Sequence, residues 1–202
     1  MLLTQETLRD LLSRFGPSTD PDLIRDVLLA YFPDFMRVYG DTAAVLGADF
    51  YQSLRGEVVT SSTVGTVFAQ PAKVKQSEGV VRWAVGALYA AEPSWDTFTT
   101  NLLGASQRLI LQPSRDTIDL LARTDARTGK VAAVGWARHT HPERAQTRKS
   151  CDFCRMLEGR GPVYRSEESA GLAGANHYHD NCHCVPVPTF YEERGGVLVP
   201  LT

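Results

Sequence analysis

Two short pieces of the chain, CDFC at residues 151–154 and HYHDNCHC at residues 177–184, hold all four cysteines and three of the five histidines. Two thiolates separated by two residues can grip one metal ion from a tight turn. The second piece adds His179, Cys182 and Cys184 in the form H-x2-C-x-C. A Cys/His set divided into two halves by a loop has the donor spacing of a structural zinc ion. Cys151 and Cys154 form the anchoring pair. His179 and Cys182 complete the favoured set, and Cys184 competes closely for a place. An all-cysteine site with His179 hydrogen-bonded from outside it is the variant. His177 and His183 read as surface groups or as partners behind the ligands. The intervening RMLEGRGPVYRSEESAGLAGAN carries Gly159, Gly161, Gly171 and Gly174 and few apolar residues. It cannot fold on an apolar core of its own. A tetrahedral ion would supply the missing cross-link, because in such modules metal binding is folding free energy.

Other chemistry for the same residues is weaker. Two disulfides would need an oxidising compartment. A redox C-x2-C wants a strand–helix setting that the sequence does not announce. A catalytic zinc needs an open position and a base such as Glu158, Glu167, Glu168 or Asp180, whereas cysteine-rich ligation indicates a closed site. The H-x-E…P-C-x-x-C signature of zinc deaminases is absent, and so is a G-x-S-x-G nucleophile motif. His139 and His141, in a basic loop, read as surface residues. That loop, with Arg138, Arg144, Arg148 and Lys149 against Glu143, could meet DNA phosphates or an acidic partner, with a solvated loop as the plainer reading.

Bulk properties bound the class. The chain has 202 residues, 22.2 kDa, 43% hydrophobic and 22% charged residues, and a net charge of −2. That suits one good core, or a core with a small satellite, and gives no overall basic footprint for nucleic acid. No apolar run approaches the roughly 18–20 residues that span a bilayer. MLLTQETLRD lacks the basic region and apolar core of a signal peptide. A reducing cytoplasm is therefore expected during synthesis, which disfavours disulfides.

The elements that must hold the cysteines follow from periodicity. Leu8, Leu11, Leu12 and Phe15 predict a helix with Thr4 as N-cap and Gly16 as its stop. Asp20 and Pro21 open a second, whose apolar face is Leu23, Val27, Leu28 and Tyr31. A third runs from Pro33 to Leu54, with Phe35, Val38, Val45, Leu46, Phe50 and Tyr51, and breaks at Gly40–Asp41. Residues 56–76 read as an extended loop or weak strand pair. Helices resume at about 77–91, 95–112 and 114–123, with Ser77, Ser94 and Ser114 near their starts and Pro93 and Pro113 between them. Trp83, Trp95 and Trp136 belong to the core, and the helical half shows no exposed apolar stretch. Thr128-Gly129 predicts a turn, and Val131, Val134 and Trp136 a strand. The tail GGVLVPLT reads as two flexible glycines before a short strand, which adds to a partner's sheet edge or closes the module's own sheet.

The run CDFCRMLEGRGPVYRSEESAG…YHDNCHCVPVPTF resembles the C-terminal module of the phage Mu F-like minor head proteins of tailed bacteriophages. The match lies at Cys151, Cys154, His179, Cys182 and Cys184, with Gly159, Gly161 and Tyr164 in the segment between. It covers about residues 130–190, while the N-terminal half agrees only in helical character. The resemblance implies an α+β chain with a helical domain at 1–125, a small zinc-stabilised α+β module at 126–190 and an extended tail at 191–202. It further implies a minor capsid component of a virion or procapsid, made in the bacterial cytoplasm. There it would dock with portal or major capsid proteins; some relatives are labelled capsid maturation proteases, but without a nucleophile motif in this chain no catalytic residue is expected. The competing readings are a capsid maturation protease or zinc-dependent hydrolase, and a DNA-contacting zinc module using Arg144, Arg148 and Lys149.

Overall fold

Leu8 and Leu12, one turn apart, bury the inner face of α1 (Leu2–Ser13). The helix starts before Thr4 and ends before Gly16, whose amide donates to Thr19 Oγ1 at 2.9 Å in the following turn. Asp20 then caps α2 (Pro21–Val58), its carboxylate accepting the Asp22 amide at 3.0 Å, and Pro21 occupies the first helical position. The chain continues through α3 (Val74–Val85), a 3-10 turn (Gly86–Leu88), α4 (Trp95–Arg127), β1 (Ala133–His139), α5 (Asp152–Gly159), β2 (Val185–Arg194) and β3 (Val197–Pro200). This computed structural model describes residues 2–58, 69–141, 149–164, 180 and 183–201. The architecture is α+β and mostly helical, with one three-stranded antiparallel sheet.

The breaks expected at Pro33, Gly40–Asp41 and Pro113 do not occur: α2 and α4 run through them. An interior proline costs a helix about 3 kcal/mol. Ile24, Leu28, Phe32 and Met36 are fully buried around Pro33, and each contributes roughly 1.5–3 kcal/mol, so packing wins. The glycines serve a close approach. A Cβ at Gly40 would lie 2.9 Å from Pro71 Cβ and 3.4 Å from Pro113 Cγ, and one at Gly47 only 2.6 Å from the Ser114 carbonyl oxygen. With Ala43, Ala44 and Ala48, also buried, they form the strip along which α2 meets α4. Ser114 therefore lies inside a helix. Ser94 does cap α4, accepting the Thr97 amide at 3.1 Å. Ser77 is not a cap but a buried residue of α3, whose start is closed by Gln76 accepting the Lys73 amide at 3.0 Å.

The buried face of α2 is Ile24, Leu28, Phe32 and Met36, one residue on from the predicted face. Leu23, Val27 and Tyr31 repeat at the same helical spacing about 100° away, so periodicity alone cannot choose between them. The outer stripe is exposed along the helix: Leu23, Tyr31 (65%), Val38, Val45 and Leu46 (62%). The helical half thus does present an apolar face, contrary to expectation. Trp83 is exposed as well, Trp95 packs against Phe98 at 5.2 Å between ring centroids, and Trp136 is buried.

Two apolar clusters result. The first joins α1, α2, α3 and the first half of α4 through Leu12, Phe32, Val81, Phe98 and Leu102. The second joins the ends of α2 and α4 to the sheet through Tyr51, Ile118, Leu121, Val131, Trp136 and Phe190, and it contains Cys154 and Cys184.

The sheet order is β1-β2-β3. β1 pairs with β2 from Ala133↔Tyr191 to His139↔Val185. The Tyr191 carbonyl accepts from Ala132 and the Phe190 carbonyl from Leu201, each at 2.8 Å, so main-chain groups alternate sides along β2. Pro186 and Pro188 share the Phe190 side, away from β1, where β3 does not reach and no ladder bond is lost. Gly195 (φ +60°) and Gly196 (φ +80°) make the two-residue turn into β3, the left-handed pair that a tight hairpin demands. They form a fixed corner, not a flexible joint, and β3 closes the chain's own sheet.

Candidate metal centre

Cys151 stands at the N-cap of α5 in an extended conformation (φ −66°, ψ 155°), and its Sγ accepts the Cys154 amide at 3.3 Å. A sulfur in this place faces the positive end of the helix, where negative charge is stabilised. The two Sγ atoms are 3.1 Å apart. That is too far for a disulfide, whose S–S bond is about 2.05 Å. It is somewhat inside the roughly 3.8 Å that separates two sulfurs on one tetrahedral ion with bonds of about 2.3 Å. Small side-chain rotations would seat both on one cation. Cys154 (1% exposed) and Cys184 (3%) are buried in the second apolar cluster, and half-buried Cys151 packs against it. The structure thus draws Cys184, from the distant H-x2-C-x-C piece, to the same cluster as the C-x2-C pair.

Two of the five candidate ligands, His179 and Cys182, lie outside the described residues, as does His177. Among the described residues, no three His, Cys, Asp or Glu side chains are grouped to hold an ion. His183 is buried, not a surface residue.

The surrounding groups were not legible as a set. Arg115, on α4 and 1% exposed, donates from Nε and Nη2 to the Cys184 carbonyl at 3.2 and 3.0 Å. Nothing in sequence marked it, because a helical arginine ordinarily reads as surface and its acceptor is a main-chain oxygen far along the chain. Arg138, assigned to the basic loop, is instead fully buried on β1 with its guanidinium 5.8 Å from the Phe153 ring centroid. Arg144 and Arg148 lie outside the described residues, and Lys149 is exposed.

Of the acids proposed as bases, Glu167 and Glu168 lie outside the described residues, and Glu158 and Asp180 have partners. Asp180 accepts from Arg108 Nε at 2.9 Å. Glu158, on α5, accepts the Thr140 amide at 2.9 Å and the Thr140 hydroxyl at 2.6 Å, and lies 3.2 Å from His139 Nδ1. Partial burial works against its charged form, but the Thr140 hydrogen bonds win, helped by His139 and His141, and hold the carboxyl below its ordinary range. The His139 and His141 rings meet edge-on at 4.9 Å. This clamp fixes α5, and with it the C-x2-C pair, against the end of β1.

No helix among the described residues is long and apolar enough to cross a membrane. Fold and site together define a mostly helical α+β protein whose small sheet and short α5 gather cysteines beside a shared core. The profile of the VG15 protein family matches residues 3–196, and the chain belongs to that family. The family is viral, and the chain is a phage-associated protein. Neither curated proteins nor solved structures yielded a match.

Proposed function

We propose that the chain is a minor structural protein of a tailed-phage head, stabilised by one zinc ion and docked on portal or capsid proteins. The observation that carries this reading is the paired Sγ atoms of Cys151 and Cys154, 3.1 Å apart at the start of α5, with Cys184 in the same apolar cluster as Cys154. Membership of a viral family and the Mu F-like spacing support it. The donor chemistry fits: soft sulfurs with one imidazole suit zinc. Cys151 and Cys154 would hold the ion with two of His179, Cys182 and Cys184. Zinc would supply a closed cross-link between α5 and the entry to β2. The exposed apolar stripe of α2 is the surface offered to portal or capsid.

The test is metal analysis of protein purified under reducing conditions. One zinc per chain is expected, with X-ray absorption showing four protein donors, mostly sulfur. Chelation should remove about 4 kcal/mol relative to free zinc at about 1,000-fold its Kd, which at about 2–4 °C per kcal/mol lowers Tm by about 8–16 °C. Metal-free protein with an unchanged Tm overturns the zinc reading, and an exchangeable water on the ion favours a hydrolase instead. Mass spectrometry of purified particles of the encoding phage should find the chain, and its absence there overturns the structural role.

A further inference from the structure

The carbonyl that Arg115 grips belongs to a candidate ligand. Two of its hydrogen bonds, at 3.2 and 3.0 Å, end on Cys184, where the cysteine-bearing segment enters β2. The guanidinium comes from the interior of α4, just past Pro113 where that helix meets α2, and is 1% exposed. Its backbone belongs to the helical core, so the bond ties the entry of β2 to α4. Two consequences follow for a sulfur-bound ion. A planar fork on one oxygen fixes both distance and orientation of the Cys184 main chain, which a single ammonium cannot do. A divalent ion held by three or four thiolates is negative overall, and a buried positive charge next to it is favourable at low dielectric.

We propose that Arg115 is a positioning residue of the metal centre. From α4 it sets the Cys184 main chain and lends positive charge to the thiolates, and so raises affinity for a thiophilic divalent cation. This rests on the zinc reading above. Groups that orient ligands in this way typically contribute 10–100-fold in metal affinity.

The test uses full-length wild-type protein, Arg115→Lys and Arg115→Met, with zinc affinity measured by competition against a chromogenic chelator. Cobalt substitution adds the thiolate-to-metal absorption band as a second readout. Arg115→Met should bind zinc 10–100-fold more weakly, with a shifted or weakened cobalt band. Arg115→Lys, which keeps the charge and loses the fork, should fall between. Metal-free Arg115→Met should melt below wild type, because its bonds to the Cys184 carbonyl are lost with or without the ion, and loading with zinc should widen that gap. Wild-type protein that binds no zinc overturns the zinc reading and this one with it. Wild type that binds while the variants match its affinity overturns this proposal alone, as does equal destabilisation of metal-free and loaded forms with affinity unchanged. Should Arg115→Met fail to fold, an unchanged affinity in Arg115→Lys still overturns it.

Discussion

Asp125, 1% exposed, accepts the Tyr51 hydroxyl at 2.8 Å and Arg55 Nε at 2.5 Å, and so ties the end of α2 to the end of α4. Burial pushes the Tyr51 phenol above its usual range, so it stays a donor. Removing one partner leaves buried charge uncompensated. Asp125→Ala should therefore lose about 3–5 kcal/mol in urea unfolding, against about 1 kcal/mol for Tyr51→Phe. Glu158 makes a pH-dependent contribution. Its carboxyl is depressed in the fold, so its stabilisation is full above the ordinary glutamate range and fades as pH falls through the lower folded value. Wild type should lose this contribution below about pH 4.3, whereas Glu158→Gln should lack it at every pH. A matched set of melting curves from pH 3 to 7 checks this. At this scale the pairing of Cys151 with Cys154 was plain in the sequence, since a two-residue spacing brings both thiols to one turn. Arg115 and the Thr140–Glu158 contact were hidden, because each depends on which loop the fold brings against which helix.

The same distinction holds for the elements. The helices were legible from their repeats, and Ser94, Asp20 and Gly129 marked real ends and turns. The long runs of α2 and α4 were not, because proline and glycine carry two meanings. Read locally they break helices, but here Gly40, Gly47 and Pro113 sit where two helices touch. Gly47 makes the sharper test, since its neighbour is the main-chain oxygen of Ser114, 2.6 Å from where a methyl would stand. Alanine gains helix propensity of about 1 kcal/mol there. A main-chain clash costs about 1–3 kcal/mol or more. Gly47→Ala should therefore destabilise on balance by about 1–2 kcal/mol in chemical denaturation, whereas Gly79→Ala in α3, with open space beside it, should stabilise.

For the molecule as a whole, the decisive feature is that, among the described residues, the sheet has no apolar cluster separate from the helices. Its inner side rests on Tyr51, Ile118 and Leu121. A fragment of residues 126–202 should therefore stay unfolded even with zinc added, as judged by amide dispersion in NMR spectra. A folded fragment would show that the ion and the sheet suffice. The Tyr51 ring meets Phe190 edge-on at 5.7 Å, which carries a consequence for biosynthesis. The C-terminal half of α2 leaves the ribosome well ahead of β2. At about 5–20 residues per second, its inner side waits on the order of ten seconds for its cover. During translation that surface is open to chaperones until β2 is made.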